Sequence, residues 1–273
     1  MYSGTTLSRG SGRIVGVHQK IDRIARRALK NVASLSNFPT ATQIVHFEGV
    51  NGPDGLKRKS PGRDEPWHYI DPTDPHDTDL FGMIEDHSAN LTKALKTGNR
   101  ERAAFEAAWL AHTIVDGLTP AHHFPLEEKL EELRGGEGLE TRNSIKEKLV
   151  LPGDTRREQL SKNWQYWGAK GVMTTHGLFE WGVATTIAPL RFADVQPDRN
   201  QLVRARTEGI LPQFKEALDQ IYGLKMYEEF QHKGWNQKLV RQTRRILVPT
   251  TITIVVLAWY AAAQAAEAKK PQK

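Results

Sequence analysis

Arg100-Glu-Arg-Ala-Ala-Phe-Glu-Ala-Ala-Trp-Leu-Ala-His112-Thr-Ile-Val-Asp116-Gly-Leu-Thr-Pro120-Ala-His122 is the stretch on which the reading of this chain turns. Ala103, Ala104, Ala107, Ala108 and Ala111 predict a helix from Arg100 to Gly117 that lets its neighbours approach closely. Pro120 ends it, having no N–H to give and clashing with the preceding turn. His112 and Asp116 are one turn apart and so project from one face. The bend at Pro120 returns His122 towards the same space. Imidazole and carboxylate at this spacing suit a zinc ion. His176 and Glu180, in Thr-Thr-His-Gly-Leu-Phe-Glu-Trp, repeat the turn-spaced pairing.

Outward from this stretch the pattern stays helical. Apolar residues at Ile14, Val17, Ile21, Ile24, Ala25 and Leu29 predict an amphipathic helix within 14–35, with basic residues between them. Helices are also expected at 78–97, 168–188, 199–222 and 236–267, the last two kinked at Pro212 and Pro249. Residues 126–162 read as two short surface helices joined by a loop. Residues 37–78 hold six prolines and the run Lys57-Arg58-Lys59, and read as one long loop of a kind that usually serves function. The expectation is an all-α fold: a single compact multi-helix domain over 14–267, after a disordered leader at 1–13 and before a basic tail at 268–273.

Composition narrows the chemistry. The 273 residues contain no cysteine, so metal ligands must be nitrogen and oxygen, and disulfides are excluded. A net charge of +6 is modest for this length. It inclines the chain weakly towards phosphate-rich partners, nucleic acid or an anionic membrane surface. The N-terminus lacks the basic-then-apolar pattern of a secretory signal, which places the protein in the cytoplasm or at a membrane. Between Ile246 and Ala266 there is no charged residue over a length that could span a bilayer. Residues 246–267 therefore read as a final core helix, with a membrane anchor as the competing reading.

Each remaining histidine has an ordinary structural reading when taken singly. His68 lies in Glu-Pro-Trp-His-Tyr-Ile-Asp-Pro as a turn residue, His18 opens the first amphipathic helix, and His46 sits in a loop. Their succession does not read so simply. His18, His68 in His-Tyr-Ile-Asp-Pro, His112/Asp116/His122 and His176/Glu180 together resemble, in order and spacing, the zinc-dependent phospholipase C superfamily, which includes zinc-dependent single-strand nucleases. The resemblance spans roughly residues 14–265.

The resemblance implies a mostly helical domain holding two or three zinc ions. One zinc would use Asp54, His68, His112 and Asp116. A second would use His122, His176 and Glu180, and a third would use His18 with Asp116 as a bridge. Asp64 competes with Asp54, and His123 with His122. In that superfamily the third zinc is completed by the backbone amine and carbonyl of an N-terminal tryptophan, whereas the first tryptophan here is Trp67. The implied activity is phospholipase C-like phosphodiester hydrolysis by a zinc-activated hydroxide, with Asp54 as ligand and general base. The competing functions are a single-strand nuclease or nucleotidase, and a non-catalytic, membrane-associated helical protein with a residual structural zinc. Trp67, Tyr69, Trp164, Tyr166, Trp167 and Trp181 could face lipid or base, and Lys57–Lys59 could meet an anionic substrate.

Overall fold

The computed structural model describes residues 1–2, 16–34, 36–59 and 69–268, and among them every regular element is helical. In chain order the helices are α1 (Val17–Leu29), α2 (Ala41–His46), α3 (Pro53–Lys59), α4 (Asp79–Lys96) and α5 (Arg100–Gly117). They continue with α6 (Leu126–Leu133), α7 (Ile145–Leu149), α8 (Arg156–Trp167), α9 (Val172–Ile187) and α10 (Arg199–Glu208). The last four are α11 (Leu211–Tyr222), α12 (Met226–Lys233), α13 (Gln237–Gln242) and α14 (Val248–Glu267).

The alanines of α5 act as the sequence implies. Ala103, Ala104, Ala107, Ala108 and Ala111 are all buried, and α5 packs along α4 and against α1, α2 and α14. Asn99 caps it by accepting a hydrogen bond from the Arg102 N–H. α14 runs through the interior, in contact with α1, α4, α5, α10 and α11. Trp259, fully buried, donates its indole N–H to the Ala107 carbonyl at 3.0 Å and so ties α14 to α5. Two-thirds of the apolar window in the continuous helical run Gln237–Glu267 (67%) is buried within the protein. A smaller apolar cluster of Leu126, Leu130, Leu133, Leu139, Leu151 and Tyr166 forms beneath α6–α8.

Several boundaries differ from expectation, each for a local reason. The stretch 37–78 is not one loop, because it contains α2, a 3₁₀ turn at Gly49–Asn51 and α3. Thr40 and Gln43 form a capping box that starts α2, a signal obscured by the surrounding prolines. Residues 199–222 form two helices. The chain breaks at Gly209, whose φ of +79° is left-handed, and Pro212 sits in the first turn of α11, where its missing N–H costs nothing. Residues 126–162 carry α6, α7 and the start of α8, and α12 occupies a segment for which no helix was expected. Between α13 and α14 a π-helical turn at Thr243–Leu247 accommodates the approach to Pro249. Met1 and Tyr2, the first residues of the expected leader, pack against the core, with the Val17 N–H bonded to the Tyr2 carbonyl at 2.7 Å.

Candidate metal centre

Five helices and one 3₁₀ turn bring the site together. α5 supplies His112 and Asp116 from its last two turns, and the 3₁₀ turn Pro120–His123 supplies His122. α9 supplies His176 and Glu180, α1 supplies His18, and α3 supplies Asp54 in its first turn. α2 leads directly into Glu48. Three groups of side chains converge, each with ligand atoms within 4.8 Å of one another: Asp54/His112/Asp116, His122/His176/Glu180 and His18/Glu48/His112.

Asp116 is the hub. Its Oδ2 lies 3.1 Å from His112 Nε2, and its Oδ1 lies 3.2 Å from His18 Nε2 and 3.8 Å from His122 Nδ1. Glu180 Oε1 plays the same part on the other side, 3.1 Å from His122 Nε2 and 3.3 Å from His176 Nε2. Asp54 Oδ1 is 3.9 Å from His112 Nε2. The rings stack in pairs, His18 on His112 at 4.2 Å and His122 on His176 at 5.1 Å. Tyr69 lies over His122 at 4.8 Å and forms one wall.

The α-amine of Met1 enters this cluster. It donates to Asp116 Oδ1 and to Thr119 Oγ1, lies 3.3 Å from Glu180 Oε1, and is completely buried. The Met1 carbonyl accepts a hydrogen bond from His18 Nε2. Amine, carbonyl, imidazole and two carboxylates thus crowd around one point.

The charges respond to this crowding. Burial opposes ionisation of Asp116, yet the Met1 amine, His122, His112 and His18 outweigh it and hold the carboxyl well below its usual range. Glu180 is likewise held low despite burial, by the Met1 amine and His176. Burial alone would lower His112, but Glu48 and Asp116 reverse that and raise it well above an ordinary imidazole. His122 goes the other way, to about 4, because burial, the Met1 amine and His176 prevail over Asp116. The two carboxylates are therefore ionised and His122 neutral at neutral pH, the state a metal ligand needs, whereas Glu48 and Asp116 hold His112 protonated, a proton it would release to a bound metal.

Of the residues picked out from sequence, His18, Asp54, His112, Asp116, His122, His176 and Glu180 stand together here, while His68 and Asp64 lie outside the described residues. His123 turns away and donates Nε2–H to the Gly117 carbonyl at 2.9 Å. His46 is exposed and packs edge-on against Phe47. Sequence reasoning missed Glu48. Its Oε2 lies 3.3 Å from His112 Nδ1, the nitrogen turned away from Asp116, so it can fix which tautomer His112 presents. Nothing in His-Phe-Glu-Gly signals that role.

No family model, no curated protein and no solved structure matches this chain. The geometry therefore has to stand by itself. Its donors are nitrogen and oxygen only, and two ionised carboxylates stand in the interior beside four imidazoles and the Met1 amine. Buried carboxylates need compensating charge, and such clusters can hold a metal ion.

Proposed function

We propose that the protein is a metal-dependent hydrolase of phosphate esters, acting on phosphodiesters in the manner of a phospholipase C. The observation that carries this reading is the sharing of Asp116. One carboxylate stands between the Asp54/His112 pair, His122 and the His18–Met1 corner, the arrangement expected where neighbouring metal ions share a bridging ligand. Imidazole and carboxylate donors without sulfur fit zinc. Asp54, His112 and Asp116 would hold one ion, His122, His176 and Glu180 a second, and His18, Asp116 and the Met1 amine and carbonyl a third.

Bound zinc supplies Lewis-acid polarisation of the phosphoryl group and a more acidic water. The protein's own residues do the rest. Asp54, partly open to solvent at the rim, is the carboxylate able to take a proton from that water. Glu48 orients His112 from behind. Tyr69 covers His122 and limits how a substrate enters.

A single-strand nuclease is the second reading, favoured by Tyr69, whose ring beside the centre could stack a base. Elemental analysis joined to turnover on phosphatidylcholine, single-stranded DNA and a chromogenic phosphodiester tests both. Two or three zinc ions per chain and chelator-sensitive hydrolysis of the lipid support the first reading. Preference for DNA supports the second. One tightly held zinc without turnover on any of the three overturns both.

A further inference from the structure

Away from the centre, a large apolar surface and a basic surface adjoin each other. On α8, Leu160, Trp164 and Trp167 recur at i, i+4 and i+7 on one face, and Leu160 and Trp164 are 73% and 71% exposed. A side chain that large is rarely left so open without a partner. Trp167 donates its indole N–H to the Leu149 carbonyl at 2.7 Å, which joins this face to exposed Leu149 and Val150 at the end of α7. α8 packs against α9, where Leu178 and Trp181 are also exposed. The segment 144–171 carries six lysines and arginines against three carboxylates, so the apolar face has a basic rim.

The stripe of α9 that begins with Leu178 and Trp181 continues through Thr185 to Ala188. Ala188 lines a cavity of about 440 Å³ walled by Arg23, Arg27 and Arg191. A second cavity of about 390 Å³ shares Leu190 and Arg191 and is walled by Arg241, Arg244 and Arg245. The last three project at i, i+3 and i+4 from α13 and the π turn. Arg27, Arg191, Arg241, Arg244 and Arg245 are exposed, and among the described residues none of them forms an ion pair. Among the described residues no carboxylate lines either cavity. Like charges gathered this way repel one another unless an anion faces them.

We infer that this continuous face docks on an anionic phospholipid bilayer, with the indoles and leucines of α8 and α9 at the headgroup–acyl boundary and the arginine cavities on lipid phosphates. A bilayer takes up both halves of the face at once, since tryptophan favours that boundary and cations favour anionic headgroups. A nucleic-acid strand would want aromatic platforms among the cations. Here the exposed tryptophans lie at the opposite end, and among the described residues Phe192 is the one aromatic side chain lining the cavities. The metal-ligating side of α9 faces inward, so this docking does not depend on what the centre holds or catalyses.

Co-sedimentation of the full chain as purified with vesicles of phosphatidylcholine alone or with phosphatidylserine added tests the inference. Binding should rise at least ten-fold when phosphatidylserine is present and fall as salt is raised. The triple variant Arg191→Glu/Arg244→Glu/Arg245→Glu should lose about ten-fold or more on the anionic vesicles. Brominated lipid should quench tryptophan emission in the parent protein and markedly less in Trp164→Phe. All these positions are exposed, and circular dichroism identifies any variant that fails to fold. Absence of vesicle binding, equal binding to both compositions, or full retention by the triple variant would overturn the inference. So would tighter binding to a single-stranded oligonucleotide that the triple variant loses. Because sedimentation reads binding and not turnover, failure here leaves the hydrolase reading intact, and failure of that reading leaves vesicle binding unchanged.

Discussion

Glu48 is where a single atom separates a metal site from a merely buried cluster of histidines. Its carboxylate faces His112 Nδ1 and leaves Nε2 to face Asp116 and Asp54. A carboxylate behind a metal-bound histidine holds the ring and raises its basicity, and losing one typically weakens metal binding about 10–100-fold. Glu48→Gln should therefore lower zinc affinity in titration calorimetry by that order while leaving the helical circular dichroism unchanged. Unchanged affinity would mean that Glu48 merely balances the charge of a buried imidazole. The proposed ligands would behave differently, because they would touch the metal itself. His176→Ala should remove one zinc equivalent by elemental analysis and reduce hydrolysis to background, since the His122/His176/Glu180 group would retain only two protein donors. His112/Asp116 and His176/Glu180 were legible because their spacing is helical and their chemistry uncommon, His122 because Pro120 bends the chain, and His18 and Asp54 only through the resemblance. Glu48 was not legible, because a carboxylate 64 residues away in sequence reaches His112 only through the tertiary packing of α2 against α5.

At the scale of elements, α5 has to do two things: pack on every side and end at the centre. Gly117 lies where both meet. A Cβ there would stand 2.7 Å from a Leu80 methyl and 2.8 Å from the Phe214 ring, both in the core. Overpacking of this sort costs about 1–3 kcal/mol. Gly117→Ala should therefore lower the denaturation midpoint, and zinc binding should weaken with it because Asp116 is the adjacent residue. A midpoint equal to the parent's would mean that α4 and α11 yield at no cost. The alanine pattern announced how closely α5 packs, but the partners of Gly117 come from α4 and α11 and could not be read from α5. The short helices α2 and α3 were hidden for a related reason. Each has too few turns to show a hydrophobic period, and each is set by caps and prolines that also describe loops.

For the whole molecule, the question is what the last helix is for. Val248, Ile252, Val255, Val256, Leu257 and Trp259 of α14 are buried among α1, α4, α5 and α10, so its apolar character is already used inside the protein. The sequence favoured a core helix but kept a membrane anchor as the competing reading, since a helix apolar all round suits either. Burial separates them energetically. Removing Trp259 alone should cost about 3–5 kcal/mol, a large part of what a domain this size has in reserve. Trp259→Ala is accordingly expected to melt at a markedly lower temperature than the parent protein. A chain ending at Arg245 loses the surface on which α1, α4 and α5 pack. It should fail to fold, giving broad unfolding, dye binding to exposed apolar surface and no retained zinc. A truncated chain that stays helical, melts cooperatively and still binds zinc would mean that the centre stands without α14, and would return that helix to the role of an anchor. The vesicle-docking face adds a second reading of the same pair of proteins. Its tryptophans and arginines lie on α1, α8, α9, α13, the π turn and the connector between α9 and α10, all upstream of α14. Membrane affinity that survives in Trp259→Ala while folded, yet disappears in the triple arginine variant, would assign the lipid contact to that face and leave α14 to the core.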